Sequence, residues 1–100
     1  MERLKSFIPE IIKLCELHKV KTLHAFGSVL TENYNSDSDI DLIVDFVHIP
    51  VEDYADNYFD FKFSLQSVLK KPIDLLEEKA IKNPYFKNAV NQQKQLVYGK

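Results

Sequence analysis

Two aspartates that enter a short apolar strand constrain this chain more than any other feature. Asp39 and Asp41 alternate with apolar residues at the start of residues 40–46, a run that predicts a buried strand. Residues two apart in a strand point to the same face, about 6.5 Å apart along the chain. The two carboxylates therefore lie side by side, where they repel each other unless a cation binds between them. Mg²⁺ prefers one or two carboxylates together with phosphate oxygens, so the pair indicates a magnesium site, although by itself it also fits a solvated acidic loop.

A Gly-Ser step lies upstream of this pair, directly after another predicted strand. Gly27 has no side chain, and Ser28 offers a hydroxyl and a backbone N–H, so phosphate oxygens can approach closely. A Gly-Ser step alone is a weak signal. Next to Asp39 and Asp41 it predicts a site for a magnesium-bound nucleoside triphosphate, with Gly27 and Ser28 binding the phosphates. For the nearby Asp37, the sequence favours a solvated surface position or a capping or turn role instead of metal binding.

A third carboxylate interrupts another short apolar run. Asp74 lies within residues 73–76, which predict a strand, and an aspartate in such a strand needs a partner or a function. It would complete the ligand set of a catalytic metal ion and could accept the proton of an attacking hydroxyl. A surface salt bridge with a lysine such as Lys71 is the alternative.

The whole pattern predicts an α/β (α+β) fold, a single domain over residues 1–100 in which helices flank a small mixed sheet. Apolar spacing and turn signals give the order α-β-(α)-β-α-β-α, with the short bracketed helical turn after Gly27. The predicted elements are a helix from Leu4 to near His18, strands at 20–26, 40–46 and 73–76, a helix marked by Tyr54 to Val68, and a helix from Pro84 to about Gln93. Phe59 and Phe63 are expected to widen the apolar face of the middle helix, as part of the core or of a face that binds a partner.

Composition removes several classes of function. The net charge is −2 and no dense block of Lys or Arg occurs, so free DNA or RNA is not the expected partner. No apolar run fits a signal peptide or a membrane span, so a cytoplasmic location is expected. Cys15 lies on an apolar helix stripe and is expected to be buried. The three histidines share no ligand spacing with each other or with Cys15, so zinc is not expected.

The motifs resemble those of the minimal nucleotidyltransferase (MNT) family, within the DNA polymerase beta-like nucleotidyltransferase superfamily. The resemblance rests on Gly27-Ser28, on residues 37–42 and on Ile73-Asp74-Leu75, and it extends over nearly the whole chain. It implies a magnesium-dependent transfer of a nucleoside monophosphate, AMP from ATP, to an acceptor hydroxyl with release of pyrophosphate. Asp39, Asp41 and Asp74 would hold two Mg²⁺ ions, with Mn²⁺ as a substitute, and Gly27 and Ser28 would hold the β- and γ-phosphates.

The family also implies a partner. Minimal nucleotidyltransferases are often antitoxins that transfer AMP to a tyrosine of a HEPN-domain toxin, and larger relatives carry a further acceptor-binding domain that is not expected here. One departure favours a different class of function: many relatives have Ala, Arg and Gly where this chain has Leu30, Thr31 and Glu32. The alternatives are therefore a binding module that acts by complex formation, and a nucleotidyltransferase for a small molecule.

Overall fold

The sheet of this protein is mixed and has four strands in the part of the chain that the structure describes. The structure is a computed structural model that describes residues 2–27 and 39–99. The strands are β1 (Val20–Phe26), β2 (Ile40–Phe46), β3 (Ile73–Glu77) and β4 (Gln95–Tyr98). Their order across the sheet is β3-β2-β1-β4. β1 pairs antiparallel with β2 and with β4, whereas β2 and β3 run parallel.

Helices lie before β1 and between the later strands. They are α1 (Ile8–Leu17), α2 (Val51–Leu69) and α3 (Pro84–Gln93), with 3₁₀ helices at Glu2–Phe7 and Glu78–Ala80. The predicted fold class is confirmed, and β4 is an additional strand that the predicted order lacked. The helical turn predicted after Gly27 lies outside the described residues.

Proline and local caps determine where the helices begin and end. Pro9 occupies the first turn of α1, where its missing N–H costs no hydrogen bond. The residues before it form a 3₁₀ helix rather than the single α-helix predicted from Leu4. α2 ends at Lys70, which adopts a left-handed conformation (φ 56°). At α3, the Asn83 side chain accepts hydrogen bonds from the backbone N–H groups of Tyr85 and Phe86.

The main core lies between one face of the sheet and helices α1 and α2. Leu42 and Val44 of β2 face this core, and Phe61 of α2 is fully buried in it. Cys15 of α1 is buried as predicted, and burial raises the pKa of its thiol to about 12. Because side chains alternate along a strand, the residues between these core positions point to the other face of the sheet. That face carries Asp41, Asp45 and Asp74, and it is partly covered by α3.

The aromatic residues of α2 divide between core and surface. Phe61 is fully buried, as predicted for this series, but Phe59 and Phe63 are 48% and 56% exposed and stack on each other. The core interpretation was therefore wrong for these two residues, because an α-helix on one sheet face can bury only a limited stripe of its surface. A partner face stays a prediction. Tyr54 and Tyr58 are half-buried and reach the edge of β3. None of the helices within residues 2–27 and 39–99 has the length and apolar character needed to cross a membrane.

Candidate active site

Asp41 and Asp74 are neighbours across the parallel pair formed by β2 and β3. Their Cα atoms are register partners, and the backbone N–H of Ile40 donates to the carbonyl of Pro72 (3.1 Å) at the start of the pair. The residues that flank each aspartate in its strand are buried in the main core, so both carboxylates lie on the opposite face. Adjacent strands are about 4.8 Å apart. The structure thus brings together two of the three carboxylates that the sequence singled out.

Asp39 lies one residue before β2, and its side chain is exposed. Its charge still acts on Asp41: the pKa of Asp41 is raised by burial, and then by repulsion from Asp74 and from Asp39. A side-chain hydrogen bond between Asp41 and Asp74 raises the pKa of Asp41 further. Burial and the neighbouring carboxylates therefore disfavour the charged form of Asp41.

This donor set is compatible with magnesium but does not form a complete cage. Among the residues the structure describes, no group of three or more His, Cys, Asp or Glu side chains is arranged to hold a metal ion alone. Mg²⁺ keeps several waters and is commonly bound by one or two carboxylates together with substrate phosphates. The repulsion that raises the pKa of Asp41 is the interaction that a divalent cation would relieve. The Asp41–Asp74 pair thus fits an ion that arrives with a nucleotide.

Gly27 lies directly against this carboxylate pair. It follows β1, whose last residue, Phe26, is the register partner of Asp41. Gly27 has a φ of +77°, and a Cβ built at this position would lie 2.6 Å from Oδ2 of Asp41. Glycine is therefore favoured by the backbone conformation, and any side chain here would displace the Asp41 carboxylate. Ser28, the other predicted phosphate-binding residue, lies outside the described residues, as do Leu30, Thr31, Glu32 and Asp37.

Two tyrosines of α2 attach β3 to the helical layer. The Tyr58 hydroxyl donates to the carbonyl of Leu75, the residue after Asp74, and the Tyr54 hydroxyl donates to Oε2 of Glu77 (2.5 Å). β3 is the edge strand of the described sheet, so these bonds hold it from its outer side. They fix the strand that carries Asp74 without using the face on which its carboxylate lies.

Phe86 of α3 forms one side of the site and was not predicted. Its ring packs edge-on against Phe26, with ring centroids 6.4 Å apart and planes at 75°, and its side chain is 44% exposed. Phe26 pairs with Asp41, so Phe86 lies over the face of the sheet that carries the carboxylates. The sequence contained one signal for it, the Asn83-Pro84 start of a helix, but helical spacing alone does not show which side chain faces the site.

Comparison with known proteins identifies the family. A family model described as a nucleotidyltransferase domain matches residues 10–97. The chain belongs to this family. It is 36% identical over 85 residues to MJ0128 of Methanocaldococcus jannaschii, which is named as a protein adenylyltransferase, and the match covers 85% of this chain and 82% of that protein. The predicted resemblance to nucleotidyltransferases is confirmed, and the protein is a nucleotidyl-transfer enzyme.

Solved structures agree on the fold. One named as a minimal nucleotidyltransferase matches with a TM-score of 0.78 at 24% identity, over 94% of this chain and 92% of that one. A Shewanella oneidensis complex of a tri-AMPylated HEPN toxin with an MNT antitoxin matches with a TM-score of 0.66 at 20% identity, over 96% of this chain and 72% of that one. This nucleotidyltransferase therefore has the fold of the minimal members of its family.

Proposed function

We propose that this nucleotidyltransferase transfers AMP from ATP, with Mg²⁺, to a tyrosine hydroxyl of a HEPN-type toxin and so acts as its antitoxin. The observation that carries the proposal is the placement of Asp41 beside Asp74, with Gly27 against Asp41, on one face of the sheet. The relative named as a protein adenylyltransferase supports AMP as the transferred group and a protein as the acceptor. The AMPylated toxin in the structurally similar complex supports the choice of partner.

The three carboxylates have separate roles in this proposal. Asp39 and Asp41 bind the metal-bound nucleotide, and Gly27 and Ser28 bind its β- and γ-phosphates. Asp74 takes part in metal binding and accepts the proton of the acceptor hydroxyl. When bound, the two Mg²⁺ ions supply positive charge at the entering and leaving oxygens of the displacement.

The reaction is a single in-line displacement at phosphorus. The tyrosine oxygen forms a bond to the α-phosphorus of ATP, and the bond from that phosphorus to the bridging oxygen of the β-phosphate breaks. Pyrophosphate leaves, and the phenolic proton passes to Asp74. The products are tyrosine-AMP and pyrophosphate.

The direct test uses the protein encoded by the adjacent gene as the acceptor. This partner is incubated with the nucleotidyltransferase, ATP and Mg²⁺, and its intact mass is measured. The proposal expects one or more added AMP units, none without Mg²⁺ or Mn²⁺, and none when the modified tyrosine is replaced by phenylalanine. Added mass on a residue other than tyrosine would contradict the assigned acceptor.

A binding module that acts by complex formation is the second candidate. It is favoured by Thr31 and Glu32, which stand where many relatives have Arg and Gly and so remove a cation from the triphosphate side. Tight binding of the partner with no added mass, in the wild type and in an Asp74→Asn variant alike, would support this candidate instead.

A further inference from the structure

We propose that a cleft beside Asp74, lined by Leu76, Ile81 and Phe86, receives the phenol ring of the acceptor tyrosine. This inference rests on the proposed function and adds the residues that select the acceptor. The cleft has a volume of about 370 Å³ and is also lined by Glu77, Ala80, Lys82 and Asn83.

The cleft begins next to the proposed proton acceptor. Leu76 is two residues after Asp74 in β3, so the two side chains lie on the same face of the sheet, about 6.5 Å apart along the strand. The 3₁₀ helix at Glu78–Ala80 and the residues after it turn back over this end of the sheet and supply Ile81. An acceptor ring packed against Leu76 can therefore direct its hydroxyl along this face towards Asp74.

Phe86 forms the wall of the cleft towards the other strands. It is held by edge-on packing against Phe26, while nearly half of its side chain stays exposed. In α3, the Asn83 cap fixes the turn before Phe86, and the buried Val90 anchors the turn after it. An exposed ring held in this way is ready to pack against a second aromatic ring.

The lining suits a phenol. Leu76, Ile81 and Phe86 offer apolar surface, whereas Lys82 and Asn83 are exposed polar residues at its rim. The volume falls within the range of about 300–1,000 Å³ usual for ligand pockets. A tyrosine side chain matches this mixture because it has an apolar ring and one polar end.

The order of the strands indicates the acceptor rather than the nucleobase as the occupant. Gly27 follows β1, Asp41 lies on β2 and Asp74 on β3, and β2 is the middle strand of the three. If the β- and γ-phosphates bind at Gly27, pyrophosphate leaves towards β1. An in-line displacement then requires the attacking oxygen to approach from the side of β3, where the cleft lies.

The test measures acceptor and nucleotide binding separately in Phe86→Ala. Transfer to the partner from the adjacent gene gives the KM for the acceptor, and calorimetry gives the Kd for Mg–ATP. We expect the acceptor KM to rise about 10-fold, the loss expected when about 1.4 kcal/mol of contact is removed, with an unchanged Kd. Phe59→Ala is the matched control, because Phe59 is similarly exposed but lies on α2. Phe86→Leu keeps an apolar side chain beside Phe26 and should show a smaller rise in KM.

Two outcomes would overturn the inference. A higher Kd for Mg–ATP with an unchanged acceptor KM would place the nucleobase in the cleft, and no change in either constant would show that the cleft is not used.

A second measurement does not depend on transfer. N-acetyltyrosinamide is titrated into the protein, and the methyl NMR signals of Leu76 and Ile81 are followed. Wild-type shifts that are lost in Phe86→Ala support the cleft as the binding site of the ring. They would do so even if no partner were modified, because a lack of transfer would refute only the proposed function. No shift in the wild type would overturn the inference, whereas AMP transfer in the same preparation would leave the proposed function standing.

Discussion

At the residue scale, Gly27 lies so close to the Asp41 carboxylate that the two positions depend on each other. The positive φ of Gly27 and its close approach to the Asp41 carboxylate mean that the predicted phosphate-binding residue and a predicted metal ligand constrain each other. The same crowding is visible in the pKa of Asp41, which is raised by burial and by repulsion from Asp74 and Asp39. A side chain at Gly27 would displace the Asp41 carboxylate, so its effect should extend beyond stability to nucleotide binding.

Gly27→Ala should therefore weaken Mg–ATP binding as well as destabilise the fold. A left-handed conformation costs an alanine about 1–2 kcal/mol, before the Cβ contact with Asp41 is counted. Gly99→Ala is the matched control, since Gly99 has a φ of +94° and its Cβ would lie 2.3 Å from the Lys21 carbonyl, at the opposite end of β1. Urea unfolding should show a loss of stability in both variants, whereas calorimetry should show a raised Kd only in Gly27→Ala. Equal nucleotide affinity in the two variants would contradict this assignment.

His24 gives a prediction about pH. Its Nδ1 is buried and has no hydrogen-bond partner among the described residues. Burial lowers the pKa of His24, Lys94 lowers it further, and Glu78 opposes them. Because the folded-state pKa lies below the ordinary value of 6.5, the unfolded chain takes up the proton first as the pH falls. The free energy of unfolding should therefore decrease as the pH falls below 6.5.

This pH dependence is measured by urea unfolding on both sides of pH 6.5. His24→Gln should reduce the decrease, whereas His48→Gln, at an exposed position, should retain it. An unchanged decrease in His24→Gln would show that another group is responsible.

At the scale of elements, α3 matters because it presents Phe86 to the site. Its first turn is fixed by Asn83, whose Oδ1 accepts from two backbone N–H groups. Asn83→Ala should lower the free energy of unfolding by about 1 kcal/mol, the usual value of an N-terminal cap. Asn88→Ala, an exposed change within the same helix, should be neutral or slightly stabilising because alanine favours helix. Equal stabilities of the two variants in urea would contradict the capping role.

The elements show what the sequence could and could not predict. β1 and β2 have the predicted bounds because their apolar runs end at clear turn signals. β4 was missed because Gln95 and Leu96 are exposed and the segment shows no alternation of buried and exposed residues. Strand alternation alone placed Asp39 and Asp41 together. The pairing of Asp41 with Asp74 depends on the register between β2 and β3, which local sequence does not encode.

At the scale of the whole molecule, the main core and the candidate active site lie on opposite faces of the sheet. One face packs against α1 and α2 and holds the main core, while the other carries the carboxylates and is only partly covered by α3. Clustered carboxylates on the open face reduce stability until a cation neutralises them. Binding of Mg–ATP should therefore be visible as a change in the stability of the fold.

Mg²⁺ or Mn²⁺ together with ATP should raise the melting temperature. Ligand at one hundred times its Kd stabilises the folded state by about 2.7 kcal/mol. The double variant Asp39→Asn, Asp41→Asn should lose this rise, while its metal-free form should be at least as stable as the wild type because repulsion has been removed. A full response to Mg–ATP in the double variant would show that the nucleotide-bound ion lies elsewhere. Thermal unfolding with and without the ligands provides the measurement.

We propose that Asp39, Asp41 and Asp74 carry out nucleotidyl transfer, and the transfer rate of Asp74→Asn is the sharpest test of this assignment. The rate of AMP transfer to the partner is measured beside the Kd for Mg–ATP. Asp45→Asn is the control, since Asp45 lies on the same face of β2 but pairs with Lys79 (3.7 Å). We expect Asp74→Asn to bind Mg–ATP nearly as well as the wild type but to transfer AMP about 10²-fold more slowly, with Asp45→Asn unchanged. Transfer by Asp74→Asn at the wild-type rate would contradict it.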